Sequence, residues 1–257
     1  MIEPTKVDLD TLDPRPMWVS EVFHSIQGEG RNLGMPCTFL RLAHCNLGCV
    51  WCDTPYTWDW MHYDPRKEVK TLAIPTVHMM ISNWHDRNLV ITGGEPMLQA
   101  HSIVRLIDHS EQHPIETTKA TFHKFQHIEI ETAGTIRPSD SLTSRINLYT
   151  VSPKLENSGN DKKRRYHPDA LEDFAHLANF NKAVFKFVVQ TVEDFDEIDV
   201  IARLHGLPPS AVYIMPEGID AGAINARLQV IAEAAMVRNF RITTRLHIAL
   251  FGNKRGV

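Results

Sequence analysis

The chain has 257 residues, 43% hydrophobic and 23% charged, the proportions of a globular protein with material for a full core in one or two domains and not of a disordered or collagen-like chain. With 27 Lys and Arg against 31 Asp and Glu, the net charge is −4, so the bulk positive field of a nucleic-acid binder is missing. No apolar run approaches the roughly 18 to 20 residues of a membrane span, and the opening MIEPTKVDLD lacks a secretory signal, which makes a cytoplasmic protein the expectation.

Residues 37–44 (CTFLRLAH) and 89–92 read as short apolar strands, and Pro96 stands where a first helical turn tolerates proline, ahead of Met97, Leu98, Ile103, Val104 and Ile107. Residues 127–131 (HIEIE) alternate as a strand does, 146–151 (INLYTV) form another, and 183–189 (AVFKFVV) are the most β-branched and aromatic of the set. Thr191 reads as the cap of a helix with Glu193 and Asp194 in its first turn, Phe195, Ile198, Ile201 and Leu204 on one face, and Gly206 as the stop. Residues 211–215 are strand-like, Ile224, Leu228, Ile231 and Ala235 share one face of a long helix, and 243–249 read as a last strand. Repeated strand–helix units with no internal repeat predict an α/β fold with a mostly parallel sheet, its chemistry in the loops beyond the carboxyl ends of the strands. Two stretches break the rhythm and are expected to be irregular: 54–85, rich in Trp, His and Met, and 154–181, which opens with a polar run. Lys162, Lys163, Arg164 and Arg165 lack interleaved aromatics and read as a solvated loop. Trp58, Trp60 and Trp84 read as packing.

Three of the four cysteines, Cys45, Cys49 and Cys52, crowd into HCNLGCVWCDT directly after a strand. Too few cysteines for a disulfide scaffold, in a reducing compartment, point to metal or redox chemistry. Structural zinc needs a fourth ligand, for which only Cys37 and His44 are near in sequence, and Cys37 sits in an apolar strand where buried free Cys is common. Three thiolates can instead hold three corners of a [4Fe–4S] cube and leave one iron open to a ligand.

The C-x3-C-x2-C spacing, with Trp51 before the last Cys, resembles the radical S-adenosylmethionine superfamily, and Thr92, Gly93, Gly94, Glu95 and Pro96 (TGGEP) follow the next strand as that superfamily's second element does. SIQGEG at 25–30, FLR at 39–41, CDT at 52–54, ETAG at 131–134, SPK at 152–154 and the tail RLHIALFGNKRGV extend the likeness to the 7-carboxy-7-deazaguanine synthase family, from about Glu21 to the C-terminus except in 54–85 and 154–181.

The resemblance implies a partial (βα) barrel, a single domain over 1–257 with its core at 18–257, and a carbon–nitrogen lyase of 7-deazapurine (queuosine) biosynthesis, a tRNA modification pathway. Its substrate is 6-carboxy-5,6,7,8-tetrahydropterin, contracted to 7-carboxy-7-deazaguanine with loss of ammonia. Cys45, Cys49 and Cys52 then hold the cluster and Thr54 a Mg2+ ion; Gly93, Gly94, Glu95, Glu131, Thr132, Gly134, Ser152 and Lys154 bind S-adenosylmethionine, Glu95 at its ammonium. Gln27, Glu29, Arg41, Thr92 and His247 contact the pterin, Arg41 at its carboxylate. The same resemblance implies a homodimer and a flavodoxin-type electron donor, with no direct nucleic-acid or membrane contact. A glycyl-radical-enzyme activase and a non-catalytic zinc or iron–sulfur binding module are the alternatives.

Overall fold

Strand-forming runs alternate along the chain with amphipathic helices. The computed structural model describes residues 16–84, 87–116, 121–122 and 125–257. In chain order these are β1 (Met17–Ile26), β2 (Pro36–Leu42), α1 (Pro65–Glu68), β3 (Lys70–Leu72), α2 (Ile74–Ile81), β4 (Asn88–Gly93), α3 (Ala100–Gln112), β5 (Ile115–Glu116), β6 (Thr121–Phe122), β7 (His127–Thr132), α4 (Asp140–Thr143) and β8 (Leu148–Val151). There follow α5 (Lys162–Arg165), α6 (Pro168–Asn179), β9 (Ala183–Val189), α7 (Asp194–Leu204), β10 (Val212–Pro216), α8 (Ala221–Met236), β11 (Arg241–Ile242) and α9 (Leu246–Phe251).

Nine strands form one sheet in the order β11-β10-β9-β8-β7-β4-β2-β1-β3. Every pair from β2 to β11 is parallel, and β1 runs antiparallel to both β2 and β3. Strand order thus follows chain order across most of the sheet, as an α/β sheet with crossover helices requires. The barrel is open, since β3 and β11 are edges. Among the described residues no helix is long and apolar enough to cross a membrane.

The two faces of the strands differ in chemistry. Ile128, Ile130, Tyr149, Val151, Phe185, Phe187 and Ile214 join the main core with Ile103, Leu106, Phe174, Ile198 and Ile231 from the helices. Glu129, Glu131, Thr150 and Lys186 occupy the alternate positions of the same strands and point the other way. The turn after β1 fills that polar side: Asn32 Nδ2 donates to Glu129 Oε2 (2.7 Å) and Gln27 Nε2 to Glu131 Oε1 (3.1 Å). The C-terminal segment binds the same turn, through Leu246 N–H to Gly28 O (2.9 Å) and Gly30 N–H to Thr243 Oγ1 (2.8 Å).

Four expectations are corrected. Residues 243–249 are not a strand: β11 ends at Ile242, and Leu246–Phe251 is helical. A short apolar run such as HIALF fits either periodicity, and the Leu246 bond to Gly28 turns the chain away from the sheet edge. Asp194, rather than Thr191, organises the start of α7, its Oδ2 accepting from the N–H groups of Gln190 (2.6 Å) and Thr191 (3.1 Å). The stretches 54–85 and 154–181 contain regular elements, above all α2 and α6; Ala170, Leu171, Phe174, Ala175 and Ala178 of α6 are buried at helical spacing. The basic run forms α5, and Arg165 within it is buried against Glu197.

A histidine cluster joins α2 to α3. The His78 ring meets His109 edge-on at 5.3 Å, and His109 stacks on His113 at 4.1 Å. Burial, followed by the charges of His109 and His113, lowers the pKa of His78 from 6.5 to about 4. A histidine kept neutral in the fold contributes stability that is complete above its unfolded pKa and is lost as pH falls from 6.5 toward 4, here at most about 3 kcal/mol. The expected outcome is that His78→Leu flattens the fall in thermal midpoint between neutral pH and the His78 pKa; parallel curves for the two proteins contradict it.

Candidate active site

The cluster loop leaves the carboxyl end of β2 and is pinned from β4. Gly94 N–H donates to Leu42 O (3.0 Å) and Glu95 N–H to His44 O (2.8 Å). This contact explains the paired glycines. Gly93 has φ +137°, a region closed to side chains, and a Cβ on Gly94 would overlap the His44 carbonyl. Gly94→Ala is therefore expected to prise the two loops apart and cut the iron retained per chain at least about tenfold, since the ligand loop loses its preorganisation; full iron loading contradicts this.

Cys45, Cys49 and Cys52 all line one cavity. Each sulfur has an N–H neighbour: the Leu47 amide for Cys45 (3.5 Å), Asn160 Nδ2 for Cys49 (3.3 Å) and the Trp58 indole for Cys52 (3.3 Å). Burial pushes the Cys45 thiol up to about 12 and also raises that of Cys49. Among the described residues no three His, Cys, Asp or Glu side chains converge on a point able to hold one metal ion. Cys37 is buried with Phe23, Phe39 and Val90, and the His44 ring lies between Trp18 and Trp60 at 5.1 and 5.7 Å. Three spread thiols with donors at their sulfurs fit the corners of an iron–sulfur cube better than a closed zinc tetrahedron.

Gly93 and Gly94 line the same cavity, as do Thr92, Glu131, Thr132, Ser152 and Lys154 from the ends of β4, β7 and β8. Lys154 Nζ donates to Ser152 O and Oγ, both at 2.9 Å, and lies over the Trp51 ring. Two residues expected in the cofactor set are not on the cavity wall. Glu95 is fully buried, and its carboxylate accepts from Met97 N–H (3.0 Å), Thr132 Oγ1 (2.8 Å) and Ala133 N–H (2.8 Å). It ties the β4 loop to the β7 loop. Gly134 has φ +72°, and a Cβ there would press on Val151 and Leu171, so the tight turn it makes over the core requires glycine.

Gln27, Glu29, Arg41, Thr54 and His247 line the same cavity. Thr92 Oγ1 donates to Glu131 Oε2 (2.8 Å), and burial, opposed by Lys186, raises the Glu131 pKa. Glu29 is gripped by two cations, Lys186 Nζ and Arg245 Nε (3.0 Å). Arg41 is partly occupied: its Nε donates to Glu21 Oε2 (2.9 Å), and its guanidinium lies 5.4 Å from the Phe23 centroid. Thr54 does not cap the following turn, and its Oγ1 stands 3.8 Å from Cys52 Sγ.

Sequence reasoning missed several residues here. Lys186, Arg245 and Asp53 line the cavity. A lone lysine inside an apolar strand is a readable sign of a paired buried charge. Trp58 and Asn160 carry no such sign, because they reach the sulfurs from the two irregular stretches. The second stretch also supports the cluster loop, through Val50 N–H to Ser158 O (3.0 Å), Gly48 N–H to Asn160 Oδ1 (2.9 Å) and Trp51 Nε1 to Asn157 O (3.0 Å).

A mostly parallel α/β sheet with three cluster thiols after β2 and a diglycine turn after β4 defines an iron–sulfur protein of the radical S-adenosylmethionine class. A family model described as a 4Fe-4S single cluster domain matches residues 26–172. The 7-carboxy-7-deazaguanine synthase of Pyrobaculum aerophilum is 33% identical over 93% of this chain and 96% of its own. That of Rhodopirellula baltica is 32% identical over 93% and 88%. The crystal structure of QueE from Escherichia coli superposes with a TM-score of 0.65 at 26% identity, covering 95% of this chain and all of that one. The chain belongs to the 7-carboxy-7-deazaguanine synthase family.

Proposed function

We propose that the protein converts 6-carboxy-5,6,7,8-tetrahydropterin to 7-carboxy-7-deazaguanine and ammonia, as a carbon–nitrogen lyase of queuosine biosynthesis acting in the cytoplasm as one domain. One observation carries the reading: the cluster thiols and a set of buried polar groups suited to a heterocycle, Gln27, Glu29, Thr92 and Glu131, open on the same cavity. The cluster and S-adenosylmethionine, when bound, supply the radical that takes a hydrogen from C6 of the pterin. The chain's own residues bind and orient. Gly93, Gly94, Thr132, Ser152 and Lys154 form the wall beside the thiols, where Lys154 offers a cation to a carboxylate. Arg41 and His247 lie on the pterin side, Arg41 with its fork turned partly toward Glu21.

Mg2+, a hard cation that prefers oxygen, would in this reading be held by Thr54 and help to orient the substrate carboxylate. Thr54→Ala is expected to raise the Mg2+ needed for half-maximal turnover about tenfold, roughly one 1.4 kcal/mol step, while cofactor cleavage without pterin stays unchanged. A homodimer and a flavodoxin-type donor complete the proposal, tested by light scattering and by donor-dependent turnover. The reading itself is tested by reconstituting the protein with iron and sulfide and titrating S-adenosylmethionine against the reduced cluster's electron paramagnetic resonance signal. A changed signal supports it; an unchanged one overturns it.

A further inference from the structure

Lys186 lies mid-way along β9, where every other residue is apolar and buried. Its Nζ donates to Oε2 of Glu29. Burial works against the ammonium, but the fields of Glu29 and then Glu131 raise its pKa and keep it charged. The converse holds for Glu29: burial pushes its carboxyl up, while Lys186, Arg245 and His247 in turn pull it well below the usual carboxylate range. The other groups around this pair are Gln27, whose Oε1 accepts from Glu29 N–H (3.1 Å), Glu129 and Glu131 on β7, and Asp53 on the cluster loop, which shares Arg245.

Glu29 faces the cavity, and what it offers a ligand depends on its proton. As an acid it presents a hydroxyl; as an anion it only accepts. Without Lys186 the carboxylate keeps Arg245 alone against burial and two other glutamates, and its affinity for a proton rises. We propose that Lys186 is a positioning residue that fixes Glu29 as an anion, so that the cavity wall selects a heterocycle edge carrying adjacent N–H donors. The inference rests on the pterin reading and deepens it, since the 2-amino and N3–H groups of an aminopyrimidinone are such an edge.

The test uses 7-carboxy-7-deazaguanine, which carries that edge, titrated calorimetrically into the cluster-reconstituted protein. The series runs upward from about pH 6.5, above the wild-type titration of His247, whose pKa is lowered first by burial. Wild type is expected to bind with little pH dependence. Lys186→Met is expected to bind at least about tenfold more weakly at neutral pH and to recover toward wild type as pH rises and Glu29 ionises. Lys186→Gln, which keeps a donor without charge, is expected to do the same and serves if the methionine variant does not fold. Lys186→Arg is expected to stay near wild type. In Glu29→Gln/Lys186→Gln the recovery must vanish. If it persists, Glu131 or His247 is the titrating group and the proposal falls; it falls equally if the loss is the same at every pH or absent. A wild-type protein that fails to bind the probe overturns the pterin reading, and this inference with it.

Discussion

Cys45→Ala, Cys49→Ala and Cys52→Ala are each expected to give a folded protein with reductive cleavage of S-adenosylmethionine reduced at least about a thousandfold, roughly 4 kcal/mol of barrier. The three thiols are half-buried on the cavity wall, so removing one costs little packing, yet each supplies a corner of the cluster that the other two do not replace. Cys37→Ala is the control. It lies fully buried in β2, so its loss is expected to cost about 1 kcal/mol of stability through the small cavity left behind and no iron. The readouts are iron and sulfide per chain, the visible absorbance of the cluster, and 5′-deoxyadenosine. Cleavage retained in any of the three variants with intact cluster absorbance contradicts the ligand assignment.

Arg245→Met has the second largest expected effect. The guanidinium is 7% exposed and donates to Glu29 Oε1, Gly218 O and Asp53 Oδ2. It therefore joins the turn after β1, the loop after β10 and the cluster loop, closing from the C-terminal side a barrel that the strands leave open. Its removal leaves Glu29 with one cation and Asp53 without this one, and breaking a buried pair in this way typically costs about 3–5 kcal/mol. Denaturant unfolding is expected to show a loss in that range, and turnover to fall at least about a hundredfold as the pterin wall and cluster loop lose their common anchor. A loss below about 1 kcal/mol, the worth of a surface pair, contradicts this account.

The parallel strands β2, β4 and β7 to β10 were legible because each is a short apolar or alternating run with a polar loop after it. In HIEIE the pattern also marks the two faces: Ile128 and Ile130 pack on the helices, while Glu129 and Glu131 turn to the polar interior. β1 was not legible. Glu21, His24 and Ser25 interrupt its apolar positions, and it pairs antiparallel, outside the strand–helix rhythm. The C-terminal helix was misread because residue spacing cannot register the bond from Leu246 to Gly28, more than 200 positions away.

The site divides along the same line. Motif residues clustered in sequence, such as the three cysteines and the diglycine, reach the cavity as expected. Glu95 and Gly134 belong to the same motifs and lie behind the wall, a placement that only hydrogen-bond partners and backbone angles reveal. Lys186 and Arg245 act through partners 157 and 216 positions away. Trp58 and Asn160 reach sulfur from stretches whose sequence shows no regular pattern.

The most direct test of the central claim is anaerobic turnover by the iron- and sulfide-reconstituted protein, supplied with 6-carboxytetrahydropterin, S-adenosylmethionine, Mg2+ and a reductant, followed by mass spectrometry. The account predicts a product of the mass of 7-carboxy-7-deazaguanine, one ammonia lighter than the substrate, with S-adenosylmethionine not consumed in proportion. Formation of 5′-deoxyadenosine and methionine alone, with the pterin unchanged, would contradict it.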